Sequence, residues 1–155
     1  MFKDTAPYEY CKRLIALKGQ EKRVFKLVLD NRTIRDLIVF LNTDQQLGKE
    51  HVDAFGQRLF NRITRRTVYA DNADNKRKGR AGKFYELLDT GEYWDSFRAT
   101  IGEGEIIIVS NPLKGDDNLE QMYGAIEGLT DENLQVLINQ AYEFFIKWYR
   151  NYLLR

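Results

Sequence analysis

Along this chain of 155 residues the spacing of apolar side chains changes its period at a 14-residue stretch, ADNADNKRKGRAGK (Ala70–Lys83), that carries no large apolar residue. Before it, apolar positions recur at helical intervals; after it they first alternate as in a strand and then return to helical intervals near the end. This order points to the α+β class: a helical N-terminal half, a central β-hairpin or small antiparallel sheet, and a long C-terminal amphipathic helix.

In the first half, Leu14 and Leu17, then Val24, Phe25, Val28 and Leu29, then Ile34, Leu37, Ile38 and Leu41 predict three helices, parted at Gly19 and at Asp30-Asn31. A fourth amphipathic run, Val52, Phe55, Leu59, Phe60 and Ile63, predicts another. Lys49 to Asp53 reads as its polar start, which puts His51, the only histidine, in solvent and away from any nucleophile. The stretch from Ala70 to Lys83 is expected to be an exposed, mobile loop inside a single domain spanning residues 1–155.

Beyond the loop, Phe97, Ala99 and Ile101 alternate with Arg98 and Thr100, as a half-buried strand requires. Gly102-Glu103-Gly104 turns the chain, and Glu105, Ile106, Ile107, Ile108 and Val109 return as a second strand, ended by Asn111-Pro112. Asp116 and Asp117 lack the spacing of a calcium loop and read as turn residues. A short helix is expected near Leu119 to Tyr123, and Thr130 is a good N-cap for the last one. Asp131 and Glu132 suit the positive end of that helix, and Lys147, Arg150 and Arg155 its negative end. Its predicted buried stripe is Leu134, Leu137, Ile138, Ala141, Phe144, Phe145, Trp148 and Tyr152.

An apolar fraction of 43% supports a packed core, and a net charge of +1 gives no global attraction to nucleic acid or to an anionic membrane. Cys11 is the only cysteine, which excludes an intramolecular disulfide and a cysteine-based zinc site; no metal or cofactor is expected. Met1 to Pro7 carries no apolar leader, and no stretch approaches a membrane span. The expected setting is a reducing cytoplasm, or a particle assembled there.

One segment raises the question of catalysis. In ELLDTGEYWDSF (Glu86–Phe97), two apolar residues followed by Asp-Thr-Gly match the active-site loop of a retroviral-type aspartic protease. That chemistry needs two aspartates sharing one proton, with a small residue after the glycine; here Glu92, Tyr93 and Trp94 follow. The helix-start reading places Asp89 at an N-cap and Glu92 at N3 in a capping box, around Thr90 and Gly91, with Leu88 and Tyr93 as a hydrophobic staple.

The second charged feature is basic. Lys76, Arg77, Lys78, Arg80 and Lys83 crowd the polar loop, near Tyr69, Phe84 and Tyr85, as phosphate contacts with stacking partners would. The alternatives are a solvated loop or one ordered against an acidic protein neighbour. GRAGKF fails as a phosphate-binding loop: Arg77 replaces the first glycine, and Phe84 the magnesium-binding hydroxyl.

The order of elements resembles the tail-completion and neck proteins of tailed bacteriophages. In that family a Thr-Gly, a bulky residue and a Ser-apolar pair introduce the sheet, and Thr90, Gly91, Tyr93, Ser96 and Phe97 match this. YGAIEGLTDENL (Tyr123–Leu134) also resembles the segment before the terminal helix in such proteins. The segment from Asn111 to Asp117 departs from the Gly-rich subunit contact of many relatives.

The resemblance implies a non-enzymatic virion protein, present in the host cytoplasm during assembly. Its copies would form a ring between the portal or adaptor and the tail, partnered by itself, by those proteins, and by nonspecific contact with DNA in the channel, with no membrane involved. A ring needs a heterologous interface. Candidate material is the strand Glu105 to Val109, the basic loop, and a supply of nine tyrosines and nine phenylalanines. The protease using Asp89 and a small nucleic-acid-binding protein using the basic loop stand as the rival readings.

Overall fold

The computed structural model describes residues 6–154, so Met1 to Thr5 and the terminal Arg155 lie outside the described residues. The architecture is α+β, with a helical N-terminal part, a small antiparallel hairpin and a long C-terminal helix. Helices α1 (Ala6–Leu17), α2 (Glu21–Leu29) and α3 (Arg32–Phe40) obey the apolar spacing, broken at Gly19 (φ +80°) and at Asp30-Asn31. Asn31 caps α3, its side chain accepting from the Ile34 backbone N–H at 3.1 Å.

The apolar pattern gives no sign of the next element. Helix α3 continues directly into a π-helical segment, Leu41–Glu50, which ends at His51 in the left-handed conformation (φ +56°). His51 therefore closes a helix and does not start one. The expected fourth helix over Val52–Ile63 is absent: the segment is irregular, held by isolated bridges Val52 to Arg58 and Asn61 to Arg66. Asp53 Oδ1 accepts the Phe55 and Gln57 backbone N–H groups, and Gly56 sits at φ +73°, which is turn geometry. Leu59 is buried, while Phe55 and Ile63 of the same run are 77% and 70% exposed.

Strands β1 (Arg98–Ile101) and β2 (Ile106–Val109) pair antiparallel, with Ile101 opposite Ile106 and Arg98 opposite Val109. Phe97, Ala99 and Ile101 point into the core as the alternation requires. A second, two-residue pairing joins β3 (Leu113–Lys114) to β4 (Asp117–Asn118) across a turn at Gly115 and Asp116. Three helices complete the chain: α5 (Glu92–Asp95) precedes the hairpin, and α6 (Leu119–Tyr123) and α7 (Asp131–Leu153) come after it. One more, α4 (Ala73–Arg77), lies in the basic loop.

Two apolar clusters form the core. Ile34, Ile38, Ala99, Ile101 and Leu137 join α3, the hairpin and α7. Leu59, Tyr85, Tyr93, Phe97, Tyr123 and Ile126 join the irregular segments to α5 and α6. Two buried amides tie these parts together: Asn42 Nδ2 donates to the Ile126 carbonyl at 3.0 Å, and Gln46 Nε2 to the Gly128 carbonyl at 2.9 Å. Asn42 Oδ1 and Gln46 Oε1 in turn accept from the Gly128 and Thr130 backbone N–H groups. Buried backbone groups need such partners, and here the side chains of the π-helical segment supply them.

Thr130 caps α7 as expected, accepting from the Asn133 N–H at 3.3 Å. The predicted buried stripe is only partly buried. Leu137 is 2% exposed, but Leu134, Ile138 and Phe145 are 39%, 49% and 37% exposed, because α7 lies at the edge of the core and presents one flank outward.

Candidate functional site

Asp89 is the most densely contacted carboxylate of the described residues. It accepts hydrogen bonds from Lys78 Nζ at 3.1 Å, from Arg80 Nη1 at 2.8 Å, and from Lys114 Nζ. The Asp89 side chain is 18% exposed and that of Arg80 17%. The Lys114 hydrogen bond, with Lys78 and the charge of Arg80, holds the Asp89 carboxyl far below the usual carboxylate range, against the opposing effect of burial.

This corrects the helix-start reading. The residue preceding α5 is Gly91, at φ +89°, and no side chain of Asp89 caps it. Thr90 Oγ1 accepts the Glu92 backbone N–H at 3.4 Å and donates to the Glu92 carboxylate at 3.1 Å. The expected staple is absent too, since Leu88 is 40% exposed while Tyr93 is buried. Charge-assisted hydrogen bonds from three cations are stronger than one from a backbone amide, and Asp89 turns to them.

A shared-proton dyad needs a carboxyl that keeps a proton in the working range, beside a second aspartate. Asp89 is held ionised, and three cationic side chains occupy the space around its oxygens.

The stretch from Ala70 to Lys83 is a folded loop. Asn72 caps α4 by accepting the Asn75 N–H at 2.8 Å. Buried Asn75 donates to the Ala70 carbonyl at 2.9 Å and accepts from Arg80 Nε at 2.8 Å. Tyr69 and Lys83 close its base through Tyr69 N–H to the Lys83 carbonyl at 2.9 Å. Polar residues build this fold, so the lack of large apolar side chains does not signal disorder.

Four of the five loop cations are spent internally. Lys76 pairs with Asp71 at 3.1 Å, Arg77 with Asp74 at 2.7 Å, Lys78 with Asp74 and Asp89, and Arg80 with Asp89. Arg80 also lies over the Tyr69 ring, 4.5 Å from its centroid. Lys83, exposed at the loop's end, makes no ion pair among the described residues. Asp71 and Asp74 stand within the loop and are visible as its counter-charges in the sequence; Asp89 is not, and its partner Lys114 lies 25 positions away.

Beneath the loop, Tyr69, Tyr85 and Tyr123 form a chain of edge-on contacts with centroids 4.7 and 5.1 Å apart. Tyr69 and Tyr123, with Arg80, Asp89, Tyr93 and Lys114, border a cavity of about 320 Å³. Burial pushes the Tyr93 and Tyr123 phenols well above their ordinary value, so both stay protonated; Tyr123 Oη accepts from Asn61 Nδ2 at 3.1 Å. The cavity wall thus joins protonated phenols to Asp89 and two of its cations, with Glu92 and Asp117 also on its lining.

The other candidate surface is the hairpin. The Gly102 N–H donates to the Glu105 carbonyl at 2.9 Å, closing a two-residue turn at Glu103 and Gly104. Alternation from that pair directs the Ile106 and Ile108 backbone groups to the outer edge of β2, which pairs with no third strand among the described residues. Ile107 and Val109 side chains stand outward, 44% and 46% exposed. Ser96, matched in the family pattern, fastens the base of this hairpin: its hydroxyl donates to the Tyr93 carbonyl at 2.6 Å and accepts the Asn111 N–H at 2.9 Å.

The described residues hold no group of three or more His, Cys, Asp or Glu suited to a metal ion, and no helix long and apolar enough to cross a membrane. Comparison with protein-family models, with curated proteins and with solved structures finds no match for this chain.

Proposed function

We propose that this chain is a structural subunit of a tailed-phage neck, forming a ring between the portal or adaptor and the tail. The observation that carries the reading is the β2 edge, where Ile107 and Val109 are exposed beside an unpaired row of backbone groups. Such an edge takes a strand or arm from a neighbour, with main-chain hydrogen bonds giving affinity and the outward side chains giving register. One edge meeting a different surface of the next copy is the heterologous contact a ring needs.

The role is non-enzymatic. The Asp89 cluster belongs to the scaffold: it fastens the basic loop and the β3 strand to the segment that leads into the hairpin. The basic loop keeps more cations than acids even after its internal ion pairs, and in this reading it faces an acidic protein neighbour or DNA in the channel.

The test is to purify phage particles carrying the chain and quantify it by mass spectrometry against the major capsid protein. A small fixed copy number per particle supports the role, and absence from particles overturns it. Ile107→Lys with Val109→Lys should then give a soluble, folded chain that no longer enters particles.

A further inference from the structure

We propose that residues 58–66, with Phe84 beside them, form a binding surface for single-stranded nucleic acid. The inference stands apart from the neck role and from the basic loop. Four arginines, Arg58, Arg62, Arg65 and Arg66, stand within nine positions, and the one acid in residues 52–69 is Asp53. All four arginines are exposed, and none makes an ion pair among the described residues. The neighbouring loop is the reverse, since Lys76, Arg77, Lys78 and Arg80 each have a carboxylate.

The backbone explains why these charges lie outward together. Along residues 58–62 burial alternates: Leu59 and Asn61 are buried, while Arg58, Phe60 and Arg62 face solvent, as an extended segment dictates. Beyond it the Asn61 N–H donates to the Arg66 carbonyl at 2.8 Å, closing a turn that carries Arg62 and Arg65. One stretch of chain holds both ends of the surface: the Ala54 N–H donates to the Ala125 carbonyl and the Arg62 N–H to the Met122 carbonyl, each at 2.8 Å. The nearest acids in sequence are turned elsewhere. Asp53 Oδ1 accepts the Phe55 and Gln57 N–H groups, and Glu50 Oε1 accepts from Gln45 Nε2 at 2.7 Å.

Aromatic rings stand among the arginines. Phe60 and Phe84 are 42% and 43% exposed. Arg58 lies over the Phe84 ring, 4.3 Å from its centroid, and its Nη1 donates to the Glu50 carbonyl at 2.8 Å. These two contacts fix the guanidinium in place and leave it further N–H donors for a phosphate. Guanidinium forks for the backbone, interleaved with open rings for the bases, are what holds a single strand without regard to sequence. In a duplex the base faces are stacked on one another, out of reach of the phenylalanines. A run of carboxylates would engage the arginines alone.

Fluorescence anisotropy of labelled oligo(dT) and oligo(U) with the full chain, over a series of salt concentrations, tests this, with circular dichroism confirming that each variant is folded. Both oligonucleotides should bind, with log affinity falling against log salt at a slope of about −3, or about −0.7 for each arginine. Arg62→Ala and Arg66→Ala should each reduce that slope by about 0.7. Phe60→Ala should weaken binding about tenfold and leave the slope unchanged. Lys76→Ala with Arg77→Ala, in the basic loop, should alter neither quantity. Failure of both oligonucleotides to bind at low salt overturns the proposal. So does a DNA duplex or polyglutamate that competes as well as oligo(dT), or binding that survives Phe60→Ala at full strength and is lost in the loop double variant.

Discussion

Gln46 Oε1 accepts the Thr130 backbone N–H at 2.9 Å, so a side chain from the N-terminal half fixes the residue that caps the C-terminal helix. Asn42 does the same for the preceding turn, through Ile126 and Gly128. Both side chains are fully buried.

Gln46→Leu should therefore lower stability by about 2 kcal/mol, although leucine is apolar and close in size, because the buried Thr130 N–H and the half-buried Gly128 carbonyl lose their partner. Urea denaturation with unchanged secondary structure would check this. A stability equal to wild type would mean that water replaces the amide.

Asp89→Asn and Asp89→Ala should be about equally destabilising, by about 1 to 2 kcal/mol at neutral pH, since each leaves Lys78, Arg80 and Lys114 without their shared anion. A helix cap would behave differently, with asparagine nearly as good as aspartate. The urea midpoints of the two variants separate the cases.

The sign of the Asp89 shift sets the pH dependence. Its folded-state pKa is depressed, so its contribution is complete above the ordinary aspartate value of about 3.9 and is lost as the pH falls through the lower folded value. Between neutral pH and that limit the wild type should lose more stability than Asp89→Asn. Parallel curves for the two proteins on the acid side would place the stabilisation elsewhere.

Neighbouring residues on α7 should respond in opposite ways. Leu137→Ala should lower stability by about 3 kcal/mol, as a fully packed core position does. Ile138→Ala should cost less than about 1 kcal/mol. Equal losses would return Ile138 to the core stripe that helical periodicity alone suggests.

The basic loop should resist trypsin after Lys78 and Arg80 while Asp89 is intact, because both side chains are anchored to it. In Asp89→Asn, cleavage at these sites should accelerate more than the change in global stability accounts for. Peptide mapping over a time course reads this directly.

The hairpin and α7 are legible in the sequence because their signals are local: alternation around a glycine turn, and a threonine cap with two acids after it. The segment after Glu50 is not. Its apolar spacing imitates a helix, but Asp53 and Gly56 form a turn that overrides it, and only Leu59 of the run reaches the core among Phe55, Leu59 and Ile63. The Asp89 cluster is illegible for another reason. Its parts come from three separated segments, and a local motif, Asp-Thr-Gly, offers a ready alternative role for the same carboxylate. The buried pair Asn42 and Gln46 leaves one faint signal, polar residues continuing the apolar face of a helix, which becomes informative only when their distant backbone partners are known.

The clamp from Gln46 to Thr130 joins positions 84 apart in the chain, and Ile34 and Ile38 share their core with Leu137. During synthesis the first helices therefore leave the ribosome with their apolar faces uncovered, and they stay so until the last helix has been made. Folding of the N-terminal part thus waits on α7, and a chain truncated before Leu129 would present those faces to chaperones and proteases for its whole lifetime.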